Sequence, residues 1–421
     1  MLSMPRAAAA GPRPSPAAAY SRWTQACATA GWLGRPSAEE VPARDGLGRV
    51  TTVPVRARWP VPRSACAAMD GIAIKAGPAG AADVWQLAAA SFTWADTGDP
   101  MPPGMDTVVE RERVQLRADG SARITGPAPP GLNVRAAGED FPAGELLIPA
   151  GRRLRPADLA AAAAAGHATL QVARPPVAAI IPTGNEIRPV GWEVGPGDIT
   201  DSNSLLLASR AAQAGARPLV SDVQPDDPGA IASEIRRAAL AADVVLVIAG
   251  SSAGRSDHTA AAVAGAGGLA VRGVAVRPGH PVLLGYVQAD PARAGQSVTA
   301  VPVIGIPGYP LAAAVIFELF VVPLLAALQG RPPADRVLQR AKLACDWTSP
   351  PDVEDWVPVS LASAPAAQPA DCLVVATPGR RGAGSISRLL RADAWWPIPI
   401  GQEKFARGEH IDVQPIPGDP L

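Results

Sequence analysis

From residue 174 onward, short apolar runs alternate with stretches whose apolar positions recur at helical spacing. VAAIIPT, RPLVSDV, DVVLVIAG and PVIGIPG are rich in Val and Ile with no polar alternation, as strands buried on both faces must be. Between them, SNSLLLASRAAQAG and PGAIASEIRRAALAA place apolar residues three and four apart. This alternation predicts an α/β domain over 174–332 with a doubly wound, mainly parallel sheet. Residues 61–140 carry short alternating runs such as TVVERERVQL and SARITG between Gly and Pro turns, and read as a β-rich inserted module. The flanking stretches 21–60 and 141–173, with a helix expected from Pro156 to Gly166, form a linking domain. WVPVSL, CLVVATP and HIDVQPI make 333–421 a separate small β domain. The Ala/Pro-rich residues 1–20 read as a disordered leader, and no repeat of fixed period is found.

Leu311 to Leu328 is apolar enough to raise a membrane span, but Glu318 and Pro323 interrupt it and a buried helix fits better. With 48% hydrophobic and 18% charged residues, a chain of 421 residues buries several cores. Lys+Arg 38 balances Asp+Glu 38, which argues against nucleic-acid or membrane-surface partners. Cys27, Cys66, Cys345 and Cys372 form no C-x-x-C pair, so neither a zinc site nor a disulfide framework is expected. A cytoplasmic location follows, since prolines break the N-terminus where a signal peptide needs an apolar run.

Ligands of open α/β sheets sit beyond the carboxyl ends of the strands. Four loops there are rich in Gly: PTGNE (182–186), AGSSAGRSDHT (249–259), RPGHP (277–281) and IPGYP (306–310). Glycine admits close approach of backbone N–H groups to an anion, and each following helix points its positive end there, so a phosphate or oxyanion ligand is expected. GSSAG also spells the G-x-S-x-G elbow of a serine hydrolase, with Ser252, Asp371 or Asp393, and His410 in triad order. Neither His167, His258, His280 nor His410 lies in an HGGG-type loop, and the tail does not continue a hydrolase sheet. No Walker A loop, dinucleotide fingerprint or H-E-x-x-H occurs.

A series of motifs carries a resemblance. AAMDGIA (67–73), TGDPMPPGMDTVVE (97–110), NVR (133–135), GED (138–140), TGNE (183–186), DITDSN (198–203), PGHP (278–281), PGYP (307–310), GAGSIS (382–387) and RAD (391–393) occur in the order seen in molybdopterin molybdenumtransferases, the MoeA and gephyrin E-domain family, which the chain resembles over about 41–421. The resemblance implies an elongated four-part protomer and a head-to-tail homodimer, with a cleft between the α/β domain of one protomer and the β-rich module of its partner. It implies Mg2+-dependent insertion of molybdate into adenylylated molybdopterin with release of AMP. Five acids match its motif positions: Asp70, Asp140, Glu186, Asp226 and Asp257. Glu186, Asp226 and Asp257 are expected to handle metal and nucleotide, while Asp70 and Asp140 reach across the dimer. Substrate contacts are expected from Thr183, Gly184, Gly250, Ser251, Ser252, Gly254, Arg277, Pro278, Gly279, His280, Pro307, Gly308 and Pro310.

Asp70 before Gly71 also reads as a turn residue, Asp140 as a cap, and Asp226, beside Asp227 and Pro228, as an acid favoured by the dipole at a helix start, whereas Glu186 and Asp257 sit inside glycine loops; Asp201 and Ser202 read as an N-cap. Three loops depart from the family pattern: GSSAG for G-G-V-S-x-G, PGHP for P-G-K-P, and PGYP for P-G-N-P. Imidazole in place of ammonium ties anion binding to pH, and Arg277 stands ready to supply charge. The departures keep open a tungstate-handling paralogue, a pterin- or oxyanion-binding protein without turnover, an adenylyltransferase on the same domain type, and delivery to other molybdenum cofactor biosynthesis proteins.

Overall fold

In the computed structural model, the described residues are 13–34, 37–77, 83–249, 255–288, 300–331, 337–363, 373–375 and 386–416. They divide into two compact units, one holding 1–37 and 174–421, the other 38–173.

The first unit opens with α1 (Pro16–Thr29), and its central sheet is built from β1 (Val177–Pro182), β2 (Arg217–Val220), β3 (Val244–Ala249), β4 (Gly267–Arg272), β5 (Leu283–Gln288) and β6 (Ala300–Pro307). Helices α2 (Ser202–Gln213), α3 (Pro228–Ala239) and α4 (Arg255–Ala266) alternate with the strands, and α5 (Pro310–Ile316) passes through a π turn at Phe317–Val321 into α6 (Val322–Leu328). The strand order is β2-β1-β3-β6-β5-β4. β2, β1, β3 and β6 are mutually parallel, whereas β5 and β4 are antiparallel.

The strands distribute their side chains by strict alternation. Ala178, Ile180, Val244, Leu246, Ile248, Ile304 and Ile306 face one core, shared with α1, α2, α5 and α6. Val177, Ala179, Ile181, Val245, Val247, Val301 and Val303 face the other, under α3 and α4. Both faces are therefore covered, the condition that unbroken apolar runs demand. RPLVSDV differs from that expectation: β2 lies at the sheet edge with Leu219 and Val220 exposed, a position where Pro218 costs no interior hydrogen bond. Leu311–Leu328 is a core helix. Its Glu318 is paired with Arg210 of α2, both largely buried, so the charge is neutralised locally.

The N-terminal expectation requires correction. Residues 1–12 lie outside the described set, but the stretch read as a leader is helical from Pro16, with Ser15 Oγ accepting from the Ala18 amide at 3.3 Å. Ala19, Trp23 and Cys27 form a buried stripe at i, i+4, i+8 against the sheet, and Trp23 Nε1 donates to the Gly285 carbonyl at 2.6 Å. Burial of the stripe is what orders the helix, and it attaches 13–37 to the α/β unit instead of to a linking domain. The same burial pushes the Cys27 thiol up to about 12, so it is an inert core thiol.

The tail forms its own sheet from Gln339–Leu343, Glu354–Val359, Ala394–Ile398 and His410–Pro415, but it is not separate. Val276–Arg277 pairs in parallel with Glu354–Asp355, and Trp356 and Trp395 join the core of the α/β sheet.

In the second unit, Gly71–Ile74 lies between Phe92–Ala95 and Thr107–Glu110, and a second three-stranded sheet packs beside it. Ala38–Pro42 pairs with Thr169–Ala173 near the helix Pro156–Ala164.

Trp23→Ala removes a fully buried indole and its hydrogen bond, and should destabilise the first unit by about 3–5 kcal/mol. Urea unfolding followed by circular dichroism measures this, with Trp23→Phe expected to lose less.

Candidate functional site

The register of the sheet decides which loops meet. β1, β3 and β6 run parallel, so TGNE and PGYP leave the same edge, at which β3 ends with Ala249. β5 is antiparallel and begins at Leu283 opposite Gly305, while β4 ends at Arg272 opposite Leu283. The loop 273–282, which contains PGHP, therefore lies at that edge as well.

At the end of β1, Gly184 takes φ +139°, and a Cβ there would stand 2.7 Å from Ile187 Cγ1 and 3.1 Å from Glu186 Oε2, so only glycine fits the turn. The Thr183 hydroxyl, expected to contact substrate, is buried and donates to the Ile248 carbonyl at 2.8 Å, locking the turn to the end of β3. Gly184 N donates to the Gln224 carbonyl at 3.0 Å. Asn185 then exchanges hydrogen bonds with Asp226: its amide donates to Asp226 Oδ2 at 3.4 Å and its Oδ1 accepts from the Asp226 amide at 3.3 Å. Glu186 and Asp226 thus belong to one pair of adjoining turns. The capping role falls to Asp227, whose Oδ1 accepts from the Ala230 amide at 2.7 Å, and Asp201 caps α2 in the same way at 3.0 Å. Asp226 thus stands just before the N-cap of α3.

Gly250, Ser251, Ser252 and Gly254 lie outside the described residues, as does the side chain of Asp257, whose backbone stands in the first turn of α4. Among the described residues no group of three His, Cys, Asp or Glu could hold a metal ion. Of the triad partners of the hydrolase reading, Asp371 lies outside the described residues, Asp393 accepts from the Leu361 amide at 2.7 Å, and His410 lies in the tail sheet opposite Lys342.

Pro307 ends β6, Pro310 is the first residue of α5, and the Gly308 carbonyl accepts from Asn203 Nδ2 at 2.7 Å. Among the described residues, Asn203 Oδ1 and Ser204 Oγ are buried there without a hydrogen-bond partner. Within DITDSN the sequence points to Asp201 and Ser202 as an N-cap and gives Asn203 no role of its own.

In RPGHP, Arg277 is held by its pairing to the tail sheet, and Gly279 adopts φ +114° with Ile316 of α5 only 2.8 Å from where a Cβ would stand. His280 O accepts from Val274 N at 3.0 Å. Its imidazole is held below the ordinary histidine pKa, first by desolvation and then by the Arg13 guanidinium.

In the second unit, Gly71 is fixed by a Cβ position 1.9 Å from the Val109 carbonyl. The preceding Asp70 accepts from the Thr97 amide at 2.7 Å and the Thr97 hydroxyl at 2.6 Å, joining the M-D-G and T-G-D motifs. These bonds hold its exposed carboxyl below the usual range. Asp140 pairs with Arg135 Nη2 at 2.7 Å, joining GED to NVR.

Family models match nearly the whole chain: the MoeA N-terminal region (domains I and II) at 15–166, a probable molybdopterin binding domain at 179–327, and the MoeA C-terminal region (domain IV) at 340–416. A molybdopterin molybdenumtransferase of Nostoc sp. is 31% identical over 304 residues, covering 67% of each chain. Molybdopterin molybdenumtransferase 2 of Mycobacterium tuberculosis is 31% identical over 335 residues, covering 74% of this chain and 80% of its own. This chain belongs to the molybdopterin molybdenumtransferase family. The crystal structure of a molybdopterin biosynthesis MoeA protein from Pyrococcus horikoshii matches with TM-score 0.77 at 29% identity, covering 94% of this chain and 99% of that one. The multidomain MoeA fold and a transferase activity in molybdenum cofactor biosynthesis follow from family membership.

Two titrations test the electrostatics of a molybdenumtransferase built in this way. Removing the Thr97 hydroxyl by Thr97→Val should raise the Asp70 pKa toward about 3.9, read from its side-chain carboxyl resonance by NMR. His280 should titrate below about 6.5. Because its folded pKa is depressed, its contribution to stability is present above that value and is lost as the pH falls through the folded pKa, which denaturation at a series of pH values would follow.

Proposed function

We propose that this chain inserts molybdate into adenylylated molybdopterin, with Mg2+ present and AMP released as the phosphoanhydride is cleaved. The observation that carries the reading is the convergence of TGNE, PGYP and PGHP on one sheet edge, with Glu186 and Asp226 on adjoining turns there. Backbone amides at glycine turns and helix N-termini suit both the phosphates of the pterin nucleotide and the molybdate dianion. Carboxylates are hard oxygen donors, and Mg2+ is commonly held by one or two of them together with substrate phosphates. Glu186 and Asp226 fit that donor set, with Asp257 as a third; the bound ion would offset charge on the anhydride. Asn185 and Thr183 orient these carboxylates by fixing the turns that carry them. Asp70 and Asp140, each ordered by a neighbouring motif, would complete the cleft from the second protomer of a homodimer. The protein would act in the cytoplasm.

A second reading, pterin or oxyanion binding without turnover, rests on the depressed pKa of His280, which leaves the PGHP loop without the ammonium of the family pattern. Incubation with adenylylated molybdopterin, Mg2+ and either molybdate or tungstate separates the two. AMP release that requires the oxyanion, with metal retained in the pterin, is the transferase result and names the metal; tight pterin binding with neither product is the binding result. Glu186→Ala and Asp257→Ala should each lower AMP release by about 100-fold or more at unchanged Tm. Full activity in both variants would end the metal assignment.

A further inference from the structure

The PGHP loop has a neighbour that its sequence does not announce. The chain just before α1 docks along the strand-like stretch 273–276, where the Pro14 carbonyl accepts from the Ala275 amide at 2.9 Å. That bond carries Arg13 onto the loop: its Nε lies 3.4 Å from where a Cβ on Gly273 would stand, and the His280 carbonyl lies 3.3 Å from the same point. Gly273 adopts φ +77°, and with no side chain there the arginine comes close to the loop. The guanidinium is exposed and forms no ion pair among the described residues. Desolvation first, and then the nearby Arg13 charge, disfavour protonation of the His280 imidazole.

We infer that Arg13 is an anion-binding residue of the active edge, supplying beside His280 a permanent positive charge that the imidazole does not carry. The inference rests on the transferase reading for the identity of the ligand, but not for its chemistry. The group bound is a tetrahedral oxyanion, either molybdate or a phosphate of the pterin nucleotide. Three features make Arg13 suited to this. Its charge persists at every working pH, its fork offers two parallel N–H donors to an oxyanion, and the segment holding it is anchored both by the Pro14–Ala275 bond and by the buried stripe of α1. The register places its loop on the same edge as TGNE and PGYP.

The test compares the full-length protein with Arg13→Ala, Arg13→Lys, the double variant Arg13→Ala/His280→Lys, and Arg22→Ala as a control on the exposed face of α1. Equilibrium dialysis against molybdate and, separately, against adenylylated molybdopterin gives affinities that need no turnover; AMP release gives KM and kcat for each substrate. Arg13→Ala should weaken one of the two ligands by about tenfold or more, the scale of one charge-assisted hydrogen bond, with Arg22→Ala unchanged. Loss confined to molybdate assigns the oxyanion substrate; loss confined to the pterin nucleotide assigns its phosphate. Arg13→Lys should keep most of the affinity, and lysine at position 280 should restore what Arg13→Ala removes, a rescue that a merely structural role would not give. Unchanged binding of both ligands in Arg13→Ala at unchanged Tm, or loss of both without rescue, would overturn the inference. Wild-type protein that binds an oxyanion through Arg13 yet releases no AMP would overturn the transferase reading and leave the inference standing.

Discussion

Burial on both faces of β1, β3 and β6 is the constraint from which the site follows. A strand with no solvent face can be covered only by helices above and below, so each crossover must return the chain to start the next strand in the same direction. The carboxyl ends then open on one edge, and every strand-to-helix turn there presents backbone N–H groups and a helix N-terminus to the same space. The alternation of Ala178, Ile180 and Val244, Leu246 toward one core and of Ala179, Ile181 and Val245, Val247 toward the other is the packing that enforces this. Glycine at 184 and 279 follows from it, since the turns fold back onto Ile187 and Ile316 with no room for a Cβ.

Two further connections tie distant chain to this sheet. Trp23 and Cys27 fix α1 to Gly285 of β5, and Val276–Arg277 pairs with the sheet of the tail. The loop 273–282 is thus held between the N-terminal segment and the tail, so its geometry is set by packing from three parts of the chain and not by its own short sequence. Thr183 and Asn185 do the same for the turn after β1, spending their hydrogen bonds on β3 and on the 224–226 turn. Residues of this sort position others without needing to touch a ligand.

The central sheet was legible in the sequence because burial on both faces writes itself as uninterrupted Val and Ile. The antiparallel pair β4 and β5 was not, since GGLAVR and LLGYVQ are short runs whose direction depends on tertiary contacts alone. The α1 stripe was hidden for a related reason: Ala19, Trp23 and Cys27 sit among alanines and polar residues, and only the facing sheet shows that the three form a face. At the site, the motif order pointed to Glu186 and Asp226, and of the two adjacent aspartates at the start of α3 it is Asp227 that caps the helix. Thr183, expected among the substrate contacts, donates its hydroxyl proton to the Ile248 carbonyl. Arg13 carried no local signal whatever, for its position depends on a backbone bond to Ala275.

Charge placement explains why such a long-range contact matters. Thirty-eight basic and thirty-eight acidic residues leave no net field to draw in an anion, so affinity must come from where individual charges are held. Backbone amides and helix ends supply partial charges only. A neutral imidazole at position 280 adds a donor but no charge, and the closer a fixed cation stands the more firmly the imidazole stays neutral. The two groups are therefore complementary: the guanidinium carries the charge at every pH, while burial first and the guanidinium second keep the histidine available as an uncharged hydrogen-bonding partner whose second nitrogen can accept.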